Sequence, residues 1–273
     1  MFGGSGDRRE NRDLDREFER GGFDRRTSDG GNEYGGRGYG AMQDAGDAQA
    51  RSAVYIAKVI GWMCVGLLTT VVSAMAAINM PIVWDLVFGG GIGFWVIIAA
   101  QFIMVLALSA GIQKMSPVTA TVMFMVYAGL TGLTMSVFIL VSTLDSLLLA
   151  FSVTTFMFLT MSAYGFITKK DLTSMGRLAF FGLIGIIVAG IANFFLGNAM
   201  LDFAITVIGV LVFIGLIAYD TQWIKGNYQH AMAEGYDEYS DEVRKLAIIG
   251  ALKLYLDFIN LFIMLLRLLG RRR

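Results

Sequence analysis

From Val54 onward the chain is dominated by apolar residues, grouped in seven runs that are each near the length of one bilayer crossing. The predicted spans are Val54–Ile78, Val87–Ser109, Val118–Val141, Leu147–Ile167, Leu178–Leu196, Phe203–Tyr219 and Leu246–Leu269. The connections are short except the sixth, Thr221–Lys245. This pattern predicts an all-α membrane protein, with a bundle of seven transmembrane helices formed by residues 51–273.

The seventh run differs from the others because it carries a set of polar residues: Lys253, Asp257, Asn260 and Arg267. Their spacings of 4, 3 and 7 residues place them along one stripe of an α-helix. A charge near the middle of a membrane helix is costly unless it faces protein or water. We therefore expect the seventh helix to lie inside the bundle, with this polar stripe facing a partner or a water-filled path.

One further acid, Asp220, follows the sixth run in the sequence LIAYDTQ, where we expect the membrane boundary. Asp257 lies about 16 Å into the last helix from Leu246, at a rise of about 1.5 Å per residue. If the seventh helix is central, the two carboxyls can meet and share a proton, because two adjacent carboxyls do not readily both ionise. Such a pair would be a pH-sensitive latch. Alternatively, Asp220 caps its helix and Asp257 pairs with Lys253 one turn earlier.

Residues 1–50 form a tail of different character, with 12 Gly and charges of both signs in near balance. Such a segment has too little apolar surface to offset the entropy of ordering, so we expect a disordered tail. It lacks the apolar stretch of a secretory signal peptide. The tail is either a solvated segment without a partner or an arm that docks other membrane proteins.

The scarcity of Cys and His excludes several kinds of chemistry. Cys64 and His230 are single residues, so neither an intrachain disulfide nor a thiolate cluster can form, and most zinc sites and catalytic Ser-His or Cys-His pairs are excluded. The sequence therefore predicts no enzyme activity, no resident metal or cofactor and no nucleic-acid partner. The lipid bilayer is the expected environment.

Lys and Arg predict the orientation in the membrane. They occur around the connections after the second, fourth and sixth runs, and not in those after the first, third and fifth. Because cytoplasmic loops are enriched in these residues, the N-terminus is expected to be cytoplasmic. Seven crossings would then place the basic residues 271–273 outside, against the same rule, so the side of the C-terminus stays open.

Four stretches together resemble the Bax inhibitor-1 (transmembrane Bax inhibitor motif) family, in its bacterial inner-membrane branch. They are MVYAGLTGLTMS at 125–136, YGFITKKDLTSMG at 164–176, AYDTQ at 218–222 and LYLDFINLFIMLLRLLG at 254–270. The resemblance covers roughly residues 50–273. It implies seven helices with the last enclosed by the other six, and a pH-sensitive calcium leak controlled by two aspartates that match Asp220 and Asp257.

Two positions depart from the family pattern. Arg267 matches a basic residue that some members pair with an acid on helix 2, but the expected position there is Gln101, which is uncharged, so that pairing would be lost or weakened. Lys253 stands where members carry a small polar residue. A cation one turn from Asp257 would shift or abolish the proton latch.

Three functions compete. The first is a cation leak, with calcium as the expected permeant ion, gated by Asp220 and Asp257. The second is a non-conducting regulator that binds other membrane proteins in stress response, proteolysis or cell-death control, with the tail as its handle. The third, an intramembrane aspartyl protease, is disfavoured because LYLDF lacks the Gly-Leu-Gly-Asp context and the Pro-Ala-Leu element is missing.

Overall fold

The computed structural model describes residues 30–80, 84, 89 and 92–270. In this part of the chain seven long helices follow one another: α1 Gly30–Asn79, α2 Ile92–Gly111, α3 Pro117–Val141, α4 Leu144–Ile167, α5 Thr173–Leu196, α6 Ala199–Ala233 and α7 Asp241–Leu269. A short 3-10 helix, Ile112–Lys114, follows α2. All seven long helices are apolar enough and long enough to cross a membrane, which confirms the predicted all-α membrane fold.

Local sequence sets several of the helix ends. Four helices begin after a residue whose side-chain oxygen accepts a hydrogen bond from a backbone N–H of the first turn: α3 after Ser116, α4 after Thr143, α6 after Asn198 and α7 after Ser240. Helix α5 ends at Leu196 and is followed by Gly197, whose φ of 63° is left-handed and suits glycine. These signals keep the connections in the second half of the chain short.

Helix α1 begins at Gly30, so residues 30–50 are helical where composition predicts disorder. Extending an existing helix costs much less than nucleating one, and residues 41–51 are rich in the helix formers Ala, Gln and Met. Residues 1–29 lie outside the described residues, and for them disorder stays a prediction. The chain divides into two units between Ala50 and Arg51, and the contacts described below belong to the second.

The sixth helix is longer than its apolar run indicates. We predicted a span ending at Tyr219 and a long loop over Thr221–Lys245, whereas α6 continues to Ala233 and only residues 234–240 connect it to α7. At about 1.5 Å per residue its 35 residues extend over about 50 Å, more than the roughly 30 Å of the hydrocarbon core. The helix therefore runs past the apolar stretch, and Asp220 lies well inside it.

Helix α7 is the core of the bundle. In its most apolar stretch 67% of the residues are buried, compared with 11% to 33% in the other six helices. The Tyr255 hydroxyl lies 2.6 Å from the Thr70 hydroxyl of α1, and its ring packs edge-on against Phe124 of α3. Phe258 packs edge-on against Phe158 of α4. The prediction that the last helix is enclosed by the others is confirmed.

Candidate functional site

A buried ion pair joins α6 to α7. The ammonium nitrogen of Lys253 lies 2.9 Å from Oδ1 of Asp220, and the aspartate is only 5% exposed. The same nitrogen lies 4.8 Å from the centre of the Trp223 ring, at cation–π distance. Because Asp220 and Trp223 are three residues apart on α6, both face the lysine of α7. The lysine is thus held by two groups of the neighbouring helix.

Asp257 completes a cluster of three charged groups. Its side chain is buried, with 4% of the residue exposed, and it interacts with both Asp220 and Lys253. One carboxylate oxygen, Oδ2, is buried without a hydrogen-bond partner among the described residues. A buried acceptor without a partner is costly. The arrangement therefore leaves one place, at this oxygen, for a proton or a further cation.

The geometry decides between the two interpretations left open by the sequence. Asp220 does not cap a helix end, since α6 continues for 13 residues beyond it, to Ala233. The ion pair that Lys253 makes is with Asp220 across the helix interface, rather than with Asp257 one turn away on its own helix. The two aspartates and the lysine therefore form one cluster between α6 and α7.

Close packing of α4 positions this part of α6. Three contacts, about one turn apart, join the two helices: Gly165 against the backbone of Ala218, Ser162 with Thr221, and Phe166 with Lys225. A Cβ atom added at Gly165 would overlap the carbonyl group of Ala218. Glycine is therefore needed at 165 for α4 to approach α6 two residues before Asp220.

A pocket of about 670 Å³ opens beside Lys253, at the end of the bundle where α2 and α6 end and α7 begins. Trp223 and Lys253 line it next to the ion pair. Further out its wall carries polar and charged side chains, among them Asn227, His230, Glu234, Glu242 and Lys245. The imidazole of His230 lies 3.3 Å from the Glu234 carboxylate. The pocket is a vestibule that leads toward the buried cluster, with these polar groups set among apolar side chains such as Ile112, Leu246 and Ile249.

Two other predicted site residues, Asn260 and Gln101, form hydrogen bonds with partners outside the cluster. The Asn260 amide donates to the carbonyl of Leu256 on its own helix, at 2.8 Å. The Gln101 amide donates to the Leu130 carbonyl of α3, at 3.0 Å. Neither bond involves the three charged residues, so the predicted supporting stripe divides into groups with separate partners.

Arg267 pairs with a carboxylate of α6, whereas the family resemblance suggested a partner on the second helix. Its guanidinium lies 3.5 Å from the carboxylate of Asp202, in the first turn of α6, and both side chains are about half exposed. Gln101, the expected partner position, is uncharged and binds α3 instead. The pair lies beside a pocket of about 380 Å³ near the C-terminal end of α7, 14 residues beyond Lys253.

Sequence reasoning missed Trp223 and Asp202. Trp223 lies three residues after Asp220, a spacing that places both on one helical face. That signal was hidden because we predicted the end of the helix at Tyr219. Asp202 lies one residue outside the predicted span Phe203–Tyr219, whereas in the structure it is in the first turn of α6, where the helix dipole favours a carboxylate.

The donor set of the cluster suits a proton or a transient cation. Among the described residues there is no group of three or more His, Cys, Asp or Glu side chains placed to hold a metal ion. Asp220 and Asp257 supply carboxylate oxygens, which hard cations prefer, while Lys253 already supplies one positive charge.

Comparison with known proteins places the chain among bacterial membrane proteins. The model of a family described as inhibitor of apoptosis-promoting Bax1 matches residues 52–273. The chain is 48% identical over 220 residues to the inner membrane protein YbhL of Escherichia coli K12, a match that covers 80% of this chain and 92% of that protein. It is 43% identical over 219 residues to a protein of Rickettsia prowazekii, covering 80% and 90% of the two chains. A protein of Borreliella burgdorferi is 40% identical over 219 residues, covering 80% and 92%.

Proposed function

We propose, since the chain belongs to the family of inhibitors of apoptosis-promoting Bax1, that it is a pH-sensitive cation leak channel of the inner membrane, with calcium as the permeant ion. The carboxyls of Asp220 and Asp257 form its gate. One observation supports the proposal above all: two buried carboxyls from neighbouring helices interact inside a membrane-spanning bundle, and one of them has an oxygen without a hydrogen-bond partner among the described residues. Ionisable groups within membrane segments are costly, and they mark candidate ion or proton pathways.

The gate works through charge repulsion. A proton shared by Asp220 and Asp257 holds α6 against α7. Loss of that proton leaves two like charges, of which the single ammonium of Lys253 balances only one, in a poorly solvated place where repulsion is much stronger than in water. The helices then separate, and a path lined by acidic side chains becomes available to a cation. Calcium suits such a path because it prefers oxygen ligands. Flux therefore rises as pH rises.

The positive-inside rule gives the proposed orientation. The basic residues Lys114, Lys169, Lys170 and Lys245 lie at the end of the bundle where α2 and α4 end and α7 begins. We assign this end to the cytoplasm, together with the N-terminus. The vestibule beside Lys253 then opens to the cytoplasm.

Calcium influx into liposomes tests the gate. Full-length protein is reconstituted around a calcium dye, and influx is followed from about pH 5 to about pH 8, the range in which perturbed carboxyls titrate. The wild type is expected to leak more as pH rises, and Asp257→Asn is expected to lose this dependence. Asp202→Asn is the matched control, because it changes a half-exposed acid on the same helix. Equal flux from wild type and Asp257→Asn at every pH would refute the gate.

A second candidate is a non-conducting regulator that binds other membrane proteins. The observation that favours it is that the family match begins at residue 52, so the charged residues 1–50 are additional to the shared domain. Deleting residues 1–48 discriminates: a leak survives the deletion, whereas association through the tail is lost. Association that persists without the tail would remove the reason for this version.

A further inference from the structure

We propose that Lys253 is a tethered cation, whose ammonium occupies the cation position of the Asp220–Asp257 pair and competes with ions that enter from the vestibule. The inference rests on the proposed function, since it explains how the same carboxyls are kept from binding an ion. It assigns to Lys253 the role of a built-in competitor that sets the affinity of the site.

The first argument is the position of the ammonium. Its nitrogen lies 2.9 Å from a carboxylate oxygen of Asp220, the distance of a direct charge-assisted hydrogen bond. Asp257 also interacts electrostatically with the same ammonium. An external cation that binds these carboxyls must take the place of this charge, because two cations at one carboxylate repel each other. Competition is therefore direct.

The second argument is that the ammonium can move into the adjacent vestibule. Its side chain is 33% exposed and is part of the wall of the 670 Å³ vestibule. A lysine side chain has four flexible carbons and carries a compact, strongly hydrated charge. The wall of the vestibule also carries the side chain of Asn227, and the Trp223 ring lies 4.8 Å from the ammonium. The lysine can therefore turn from Asp220 into the open pocket while the Trp223 ring stays beside its charge.

The third argument concerns Asp257. Although the ammonium pairs with Asp220, Oδ2 of Asp257 remains buried without a partner among the described residues. A divalent cation carries enough charge to serve both carboxyls at once, which a single ammonium does not. A divalent ion thus gains more from the site than the lysine does, and displaces it at sufficient concentration.

Calcium binding can be measured without any flux. Full-length wild type, Lys253→Met and Lys253→Arg are purified in detergent, and thermal unfolding is followed against calcium chloride at fixed pH. A ligand that binds the folded state raises Tm. We expect calcium to raise the Tm of Lys253→Met at a concentration about tenfold lower than that needed for the wild type. Lys253→Arg, which retains the charge, is expected to show no such gain.

A second variant ties the effect to the carboxyl. Adding Asp220→Asn to Lys253→Met is expected to abolish the calcium-dependent rise in Tm. If Lys253→Met does not fold, Lys253→Gln removes the charge while keeping a polar side chain, and carries the same test. A folded uncharged variant at 253 that gains no calcium response would overturn the tethered-cation inference.

Liposome flux with the same variants separates this inference from the proposed function. Calcium binding by Lys253→Met without conduction in any variant would reject the leak and keep the tethered cation. A pH-dependent leak in the wild type, with Lys253→Met unchanged in both binding and flux, would keep the leak and reject the tethered cation.

Discussion

Two ion pairs join α6 to α7, and they differ mainly in their surroundings. Each takes its acid from α6 and its base from α7. In the Asp220–Lys253 pair the charged atoms are 2.9 Å apart, and the side chains are 8% and 33% exposed. In the Asp202–Arg267 pair the distance is 3.5 Å, and the side chains are 50% and 43% exposed. The acid of the first pair is enclosed by packed helices and its base reaches the vestibule, whereas both members of the second pair are solvated at an end of the bundle.

The comparison shows that similar charge pairs on the same two helices can have different consequences. A half-exposed pair is solvated with or without its partner, so it contributes little to stability. A buried pair has already lost its water, so removing one partner leaves a charge that nothing stabilises. Only the buried pair can therefore couple the charge state of one side chain to the packing of α6 on α7.

The largest expected effect comes from removing each base. Lys253→Met leaves two buried carboxyls without their ammonium and is expected to lower the free energy of unfolding by about 3–5 kcal/mol near neutral pH. Arg267→Met is the matched control and is expected to lower it by less than about 1 kcal/mol. Chemical denaturation in detergent measures both.

The uncompensated charge of the two carboxylates is the expected cause of the lower stability of Lys253→Met, and two controls test this cause. Lowering the pH should relieve the deficit of Lys253→Met, because protonated carboxyls carry no charge to bury. Replacing both partners, as Lys253→Met with Asp220→Leu, should recover stability, since an apolar pair can replace a buried ion pair at little cost. A double variant as unstable as the single one would mean that packing, not charge, explains the loss.

A smaller effect is expected from the packing that surrounds the buried pair. Gly165→Ala places a methyl group against the backbone of Ala218 and should lower the free energy of unfolding by about 1–3 kcal/mol, the usual cost of overpacking. Gly185→Ala is the control, because a Cβ there meets nothing within 4 Å. Alanine is favoured over glycine within a helix, so the control should be neutral or slightly stabilising. Equal losses would show that the contact with α6 is not the cause.

The smallest effect is the response of each pair to salt. Double-mutant cycles give the coupling energy of Asp202 with Arg267 and of Asp220 with Lys253. The coupling of the exposed pair, expected at less than about 1 kcal/mol, should shrink further as sodium chloride is raised, because salt screens solvated charges. The coupling of the buried pair should change little. A buried pair that weakens as much as the exposed one would have to be open to solvent.

The sequence was sufficient for the features that the bilayer dictates. Seven spans follow from the length needed to cross it, and the central place of α7 follows from the cost of facing Lys253 and Asp257 to lipid. The resemblance to a known family, carried by AYDTQ and LYLDF, pointed to Asp220 and Asp257 before their positions were known.

The pairing of those residues could not be read from the sequence. Whether Lys253 meets Asp257 on its own helix or Asp220 on the next depends on the register of α6 against α7, which local spacing does not specify. That register depends on close contacts such as Gly209 of α6 with Met264 of α7, which are more than 50 residues apart. The end of α6 was misplaced for a related reason: polar residues after Tyr219 mark the end of an apolar run, but not the end of a helix.

The length of α6 makes it a lever. Asp220 lies 13 residues before its last residue, Ala233, which is about 20 Å along the axis. A tilt of about 5° at the carboxyl cluster therefore moves the far end by about 2 Å, the size of the helix shifts that switch many protein interfaces. Only residues 234–240 join this end of α6 to α7. A partner that binds this short connection can therefore move α6 and so change the distance between the buried carboxyls, without contacting the carboxyls.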